Sequence, residues 1–123
     1  TLNPLLLAGQ VHGGVAQGAG QALTEAAKFD ENGQLLTASF MDYGMPRADD
    51  FCDFEFETRN VPSNTNPMGL KGAGEAGSIG STPAVMNAIA DALWRSHKVA
   101  EIDMPATPFA IYSAIRSAAR VNA

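Results

Sequence analysis

The sequence predicts an α+β fold of about three helices packed on a small antiparallel or mixed sheet, residues 1–123 forming a single domain or a fragment of one. Three observations predict it. Apolar residues recur at helical spacing in three separate stretches, opening near Val11, Pro83 and Pro108. Between the first two, Asp53-Phe-Glu-Phe-Glu-Thr58 alternates acid with apolar, the pattern of a half-buried strand. Asp30-Glu-Asn-Gly33 carries the Asn-Gly hairpin signal just ahead of an apolar run.

Taken in order, Leu5 to Leu7 reads as a short strand or an approach segment. Val11 to Lys28 reads as a helix with Val11, Val15, Ala19, Ala22, Leu23 and Ala26 on one side. Gly13, Gly14, Gly18 and Gly20 each weaken that helix by up to about 1 kcal/mol relative to alanine. Four such residues imply close approach, either of another backbone or of a bulky ligand lying on the helix. Gln10, His12 and Gln17 are the polar groups able to face such a ligand, and nothing near His12 in sequence completes a metal set. Leu35 to Met41 follows the hairpin turn as a strand, and Tyr43 to Asp50 is a loop. Asp53, Glu55 and Glu57 share one face of the alternating strand and read as a solvated surface.

Next comes the densest local signal, Pro67-Met-Gly-Leu-Lys-Gly-Ala-Gly-Glu-Ala-Gly-Ser-Ile-Gly-Ser-Thr-Pro83, with five glycines between positions 69 and 80. Lys71 and Glu75 are its only charged residues. Ser81-Thr82-Pro83 reads as a cap followed by proline at the first helical position, so the next helix is expected to start there and run to Trp94. Helix N-termini present free N–H groups and partial positive charge, which suits an anionic ligand. Gly72-Ala-Gly-Glu-Ala-Gly77 matches the dinucleotide fingerprint letter for letter. The fingerprint requires a buried strand before it, and Val61-Pro-Ser-Asn-Thr-Asn-Pro67 is too polar and proline-broken to be one. The predicted helix start at Ser81 also lies too late for the third glycine to pack it. Lys98 to Met104 reads as a strand, and Thr107-Pro108 caps a last helix expected to bury Phe109, Tyr112, Ile115 and Ala119.

Composition narrows the function. Net charge is −5 and the basic residues are scattered, which excludes a nucleic-acid surface built on clustered Lys and Arg. One cysteine, Cys52, excludes an internal disulfide framework and fits a reducing, cytoplasmic compartment. No apolar run approaches a membrane span, and the first residues lack the pattern of a signal peptide. The missing initiator methionine is expected of a processed chain or a piece of something larger.

Four motifs occur in one order: Asn3-Pro4, Gly9-Gln-Val-His-Gly-Gly-Val-Ala-Gln-Gly-Ala-Gly-Gln-Ala-Leu23, Phe40-Met-Asp-Tyr-Gly-Met-Pro-Arg-Ala-Asp49 and Gly69-Leu-Lys-Gly-Ala-Gly-Glu-Ala-Gly77. Together they resemble the C-terminal part of the molybdenum-binding large subunit of the xanthine dehydrogenase, aldehyde oxidase and aerobic carbon monoxide dehydrogenase family. The resemblance implies a molybdopterin-type cofactor, commonly a cytosine dinucleotide in bacteria. It implies FAD and 2Fe–2S clusters on partner subunits or domains. The activity it implies is hydroxylation of an aldehyde, an N-heterocycle or carbon monoxide with water-derived oxygen. Glu75 then maps onto the general base, taking the proton of a molybdenum-bound hydroxyl while hydride passes to the metal's sulfido ligand. Gln10, Gln17, Lys71, Gly72, Ala73 and Gly74 are the candidate cofactor contacts, and no side chain of this chain need ligate the metal. The family's subunit is several times longer, so the remainder of that subunit is an expected partner, and this chain alone is expected to be inactive. The alternative reading is a non-catalytic phosphate- or cofactor-binding module, or a structural one.

Overall fold

Asn3 and Pro4 open the first helix. The Asn3 side chain accepts a hydrogen bond from Leu6 N at 3.1 Å, and Pro4 takes the first turn, where its missing N–H is harmless. In the computed structural model, which describes residues 1–121, this helix α1 runs Pro4–Leu23. The expected strand at Leu5–Leu7 is therefore its first turn, with Leu5 and Leu6 facing outward. Its end also comes earlier than the apolar spacing implies. Thr24 turns the chain by donating its hydroxyl to Gly44 O at 2.6 Å, and Thr37 Oγ1 donates to Ala26 O at 2.9 Å, so residues 24–28 peel away.

The Asn32-Gly33 turn forms as expected. Gly33 has φ +80°, Gly33 N donates to Asp30 O at 3.1 Å, and Phe29 pairs antiparallel with Leu35. Pairing goes no further: among the described residues no strand forms, and the expected sheet is absent. Residues 53–58 stay extended without a ladder partner, yet their alternation is visible in burial, since Phe54 and Phe56 are half-buried while the acids are exposed. The apolar side chains find a helix face instead of a sheet. Their rings pack against His12 of α1 at 5.4 Å (Phe54) and 6.4 Å (Phe56), both edge-on.

Helix α2 runs Ala76–His97, opening five residues before the predicted Ser81 start, with Pro83 inside it. Burial against α1 overrides the cap signal. Gly77 and Ser81 stand one turn apart on α2 and meet Gly14 and Gly18, one turn apart on α1. A Cβ on Gly77 would lie 2.5 Å from Val11 O and 2.7 Å from Val15 N, and one on Gly14 would lie 3.0 Å from Gly77 Cα. Small residues four apart on both helices let the two backbones touch, a device best known from membrane helices. Thr82 Oγ1 reinforces the crossing, lying 3.1 Å from Ser78 O and 3.3 Å from Gly18 O.

At the other glycine of α2, Gly80, a Cβ would meet nothing within 4 Å. Gly80→Ala is therefore expected to raise helix stability by up to about 1 kcal/mol, while Gly14→Ala lowers it. Thermal far-UV circular dichroism of the two variants checks this. Shifts of the same sign would contradict the close crossing.

Lys98 ends α2 in the left-handed conformation (φ 58°), with its N–H on Trp94 O at 3.1 Å, so the strand expected from Lys98 is a helix cap followed by an irregular stretch. Ala106 N donates to Ala22 O at 2.7 Å and ties that stretch back to α1. Helix α3, Pro108–Val121, begins where expected, with Thr107 Oγ1 accepting from Ala110 N at 3.2 Å. Its inward side differs from the expected one. Ile111, Ala114, Ile115 and Ala118 are half-buried, whereas Phe109, Tyr112 and Ala119 are exposed. Among the helices α3 packs against α2, and that contact sets its inward face rather than the bulkiest apolar residues.

Candidate functional site

The crossing of α1 and α2 fixes where the glycine loop ends. Gly77 lies against the backbone of Val11 and Val15, so Glu75, two residues earlier, is held at the mouth of α2 beside the first half of α1. Gly74 is brought next to Gln10, whose Nε2 lies 3.9 Å from the position of a Gly74 Cβ. Gln17 follows Gln10 by two helical turns, about 10 Å along the same side of α1. Between them Gly13 is exposed, and a Cβ there would meet nothing within 4 Å. The two carboxamides, an open glycine and the Gly72–Glu75 loop thus border one exposed strip.

Glu75 occupies the N-cap position of α2 but makes no side-chain cap bond. Its main chain does the structural work, the carbonyl accepting from Ile79 N at 3.0 Å and Ser78 Oγ at 3.1 Å. Among the described residues the one ion pair joins Arg95 to Asp91 at 2.9 Å, so Lys71 does not brace the Glu75 carboxylate. An exposed carboxylate beside the free N–H groups of a helix start, with no partner of its own, is available to accept a proton or contact a ligand. Lys71, Gly72 and Gly74 are likewise exposed and Ala73 half-buried, and a Cβ on Gly72 would meet nothing within 4 Å.

Gly13, Gly14, Gly18 and Gly20 divide between the two readings. Gly14 and Gly18 serve the helix crossing, and Gly20 sits under the Pro46 ring of the following loop. Gly13 alone of the four faces open space. His12 is structural in its surroundings, its Nε2 enclosed without a hydrogen-bond partner between the Phe54 and Phe56 rings. Among the described residues no group of three or more His, Cys, Asp or Glu could hold a metal ion. Cys52 is free and exposed.

Sequence reasoning missed Gly77 as the anchor of the site. The paired spacing Gly14-x-x-x-Gly18 and Gly77-x-x-x-Ser81 is the signal that could have found it. It also misplaced the helix start in rejecting the dinucleotide fingerprint. The helix does open inside Gly72–Gly77, but no strand precedes it, and the third glycine packs on a helix. Two concavities lie elsewhere, about 560 Å³ within Phe40–Arg47 and about 510 Å³ between the start of α1 and Phe56–Asn60. Neither is lined by Glu75, Gln10 or Gln17.

Comparison with known proteins covers most of the chain. Residues 1–52 match the family model described as a molybdopterin cofactor-binding domain. The chain is 42% identical over 107 residues to the nicotine 6-hydroxylase large subunit of Paenarthrobacter nicotinovorans, covering 87% of this chain and 13% of that protein. It is 38% identical over 91 residues to the carbon monoxide dehydrogenase large chain of Afipia carboxidovorans, covering 74% and 11%. Its fold superposes with a TM-score of 0.88 and 32% identity on a crystal structure of the Cu,Mo-CO dehydrogenase in its carbon monoxide reduced state, over 95% of this chain and 15% of that one. The chain thus spans about one seventh of the relatives it matches.

Proposed function

The chain belongs to the molybdenum-binding large-subunit family of xanthine dehydrogenase, aldehyde oxidase and carbon monoxide dehydrogenase, and from that premise we propose that it supplies the general base of a molybdenum hydroxylase. The observation that carries the proposal is the Glu75 carboxylate, exposed at the start of α2 and engaged in no cap bond or ion pair. A structural acid at a helix start would be expected to cap it.

The surrounding residues fit a pterin cofactor. Open space at Gly13 and Gly72 leaves room for a bulky group, and the carboxamides of Gln10 and Gln17 offer both donors and acceptors. Backbone groups of Lys71, Gly72, Ala73 and Gly74 complete the cradle. When bound, the cofactor supplies the two-electron redox centre. What this chain's residues do is narrower. Gln10 stands against Gly74 and restricts the loop, the loop glycines keep side chains out of the reaction space, and Glu75 takes a proton at its carboxylate oxygens. The substrate class under this reading is an aldehyde, an N-heterocycle or carbon monoxide. Under the same reading the dinucleotide is the cytosine form, and flavin and iron–sulfur centres sit on partner subunits or domains of a cytoplasmic complex.

The isolated chain is expected to hold no molybdenum and to show no dye-linked oxidation of any of the three substrate classes. A hybrid in which it replaces the matching stretch of a relative's large subunit is expected to load molybdenum and regain turnover. Turnover by the isolated chain would refute the division of labour, and a hybrid that loads cofactor but stays inert would favour a non-catalytic binding module.

A further inference from the structure

Glu75 is held from one side by the helix crossing, through Gly77. The other side needs a hold as well, because Gly72 and Gly74 leave the chain before the carboxylate free to turn. A proton acceptor works only where it reaches its proton, at about 2.6–3.2 Å. Misplacement by about 1 Å can cost about 10²-fold in rate. The upstream hold is a single side chain. Asn66 Oδ1 accepts from Leu70 N at 2.9 Å, and Asn66 Nδ2 donates to Leu70 O at 2.9 Å. One carboxamide thus satisfies both backbone groups of one residue, and those groups dictate which end of the amide faces which. The turn that carries Asn66 is itself closed. Gly69 N donates to Asn66 O at 3.1 Å, and Ser63 N donates to Gly69 O at 3.0 Å. Gly69 is the corner, at φ +66°, and a Cβ there would lie 2.9 Å from Pro62 Cβ. Past Leu70 the support stops. Among the described residues neither Lys71 nor Gly72 makes a hydrogen bond, and the next one along the loop joins Ala76 N to Ala73 O at 3.4 Å.

We infer that Asn66 is a positioning residue for the Glu75 carboxylate. Its amide pins Leu70, so the glycine loop hangs between two fixed points, Leu70 and Gly77, and the carboxylate at its end has one place to stand. The inference rests on the general-base reading above and adds what aims the base. The competing account is an ordinary turn-forming asparagine. Such residues bond their own backbone about two residues on. Asn66 reaches Leu70, four residues on, and does so with both ends of its amide. Its bonds therefore act on the segment that enters the site and not only on the turn behind it.

The test uses the cofactor-loaded hybrid subunit carrying Asn66→Ala or Asn66→Asp, with Thr65→Ala as a control in the same turn. Thr65→Ala removes the contact between the Ser63 and Thr65 hydroxyls and leaves Leu70 bonded. Asn66→Ala is expected to lower kcat per bound molybdenum by about 10- to 10²-fold, with KM and molybdenum content near wild type. Asn66→Asp keeps the acceptor for Leu70 N and loses the donor, so its kcat should fall between the two. Thr65→Ala should match wild type. A second readout is independent of activity. Hydrogen exchange of the peptide covering residues 68–76, followed by mass spectrometry, should be at least about tenfold faster in Asn66→Ala and unchanged in Thr65→Ala. Full turnover per molybdenum in Asn66→Ala would overturn the inference, as would unchanged exchange. A rate that falls only in proportion to lost molybdenum would overturn it too, by assigning Asn66 to the fold alone. Glu75→Gln measured alongside separates the two readings. An inert Glu75→Gln beside a full-speed Asn66→Ala would overturn the positioning role alone, whereas an active Glu75→Gln would overturn both.

Discussion

Glu75→Gln is expected to lower turnover by at least about 10²-fold while molybdenum and pterin content stay near wild type. Glutamine keeps the size and much of the hydrogen bonding of glutamate but cannot accept the proton, and a lost general base costs on that scale. The structure sharpens the expectation. Were Glu75 a brace, its carboxylate would cap α2 or pair with Lys71, and it does neither. Glutamine therefore has no structural bond to preserve or to lose. Steady-state rates of the hybrid enzyme, set beside its metal content, check this. Normal loading with near-normal turnover would remove Glu75 from the mechanism.

The second large effect is steric and lies at the helix crossing. Gly77→Leu places a Cβ 2.5 Å from Val11 O and 2.7 Å from Val15 N. Both are backbone atoms, so no rotamer change relieves the overlap. Gly18→Leu is nearly as severe, with its Cβ overlapping Ser81 Oγ, 2.7 Å from Thr82 Oγ1 and 2.9 Å from Ser78 O. Each is expected to cost about 3 kcal/mol or more, at or beyond the upper end for an overpacked core. Each should also abolish cofactor loading, because the start of α2 can no longer hold Glu75 in place. Gly13→Leu is the contrasting case. A Cβ there meets nothing within 4 Å, so the helix pair should survive. Any loss of molybdenum in that variant would come from the cofactor or the partner that occupies the space. Soluble yield, helix content and metal content of the three variants separate these effects. A Gly77→Leu protein that folds and loads normally would refute the crossing.

The helices were legible and the sheet was not, for the same physical reason. Helical periodicity is a property of one segment, and α1, α2 and α3 each carry it, with Thr107-Pro108 marking the start of the third correctly. A strand needs a partner. Phe54 and Phe56 alternate as a strand's residues do, but their rings met His12 on a helix, and the sequence of one segment cannot report what lies opposite it. Boundaries failed where tertiary contact outweighed local signals. Asn3-Pro4 was a cap overlooked beside three leucines, and Ser81-Thr82-Pro83 was a cap signal overridden by the fit of Gly77 and Ser81 against α1. The outward turn of Phe109 and Tyr112 was invisible for a related reason, since apolar spacing gives a face but not which neighbour is present to cover it. Glu75 and its glycines are contiguous in sequence, so they could be named as candidates without any long-range contact, whereas the neighbour relation of Gln10 and Gly74 required the fold.

The most direct test of the account is a crystal structure of the cofactor-loaded hybrid subunit, read at a single distance. The Glu75 carboxylate should stand within hydrogen-bond reach of a ligand of the molybdenum, about 2.6–3.2 Å, with Gln10 and Gln17 on the pterin side of the same strip. A loaded enzyme in which Glu75 points away from the metal, or in which another carboxylate occupies that position, would contradict it.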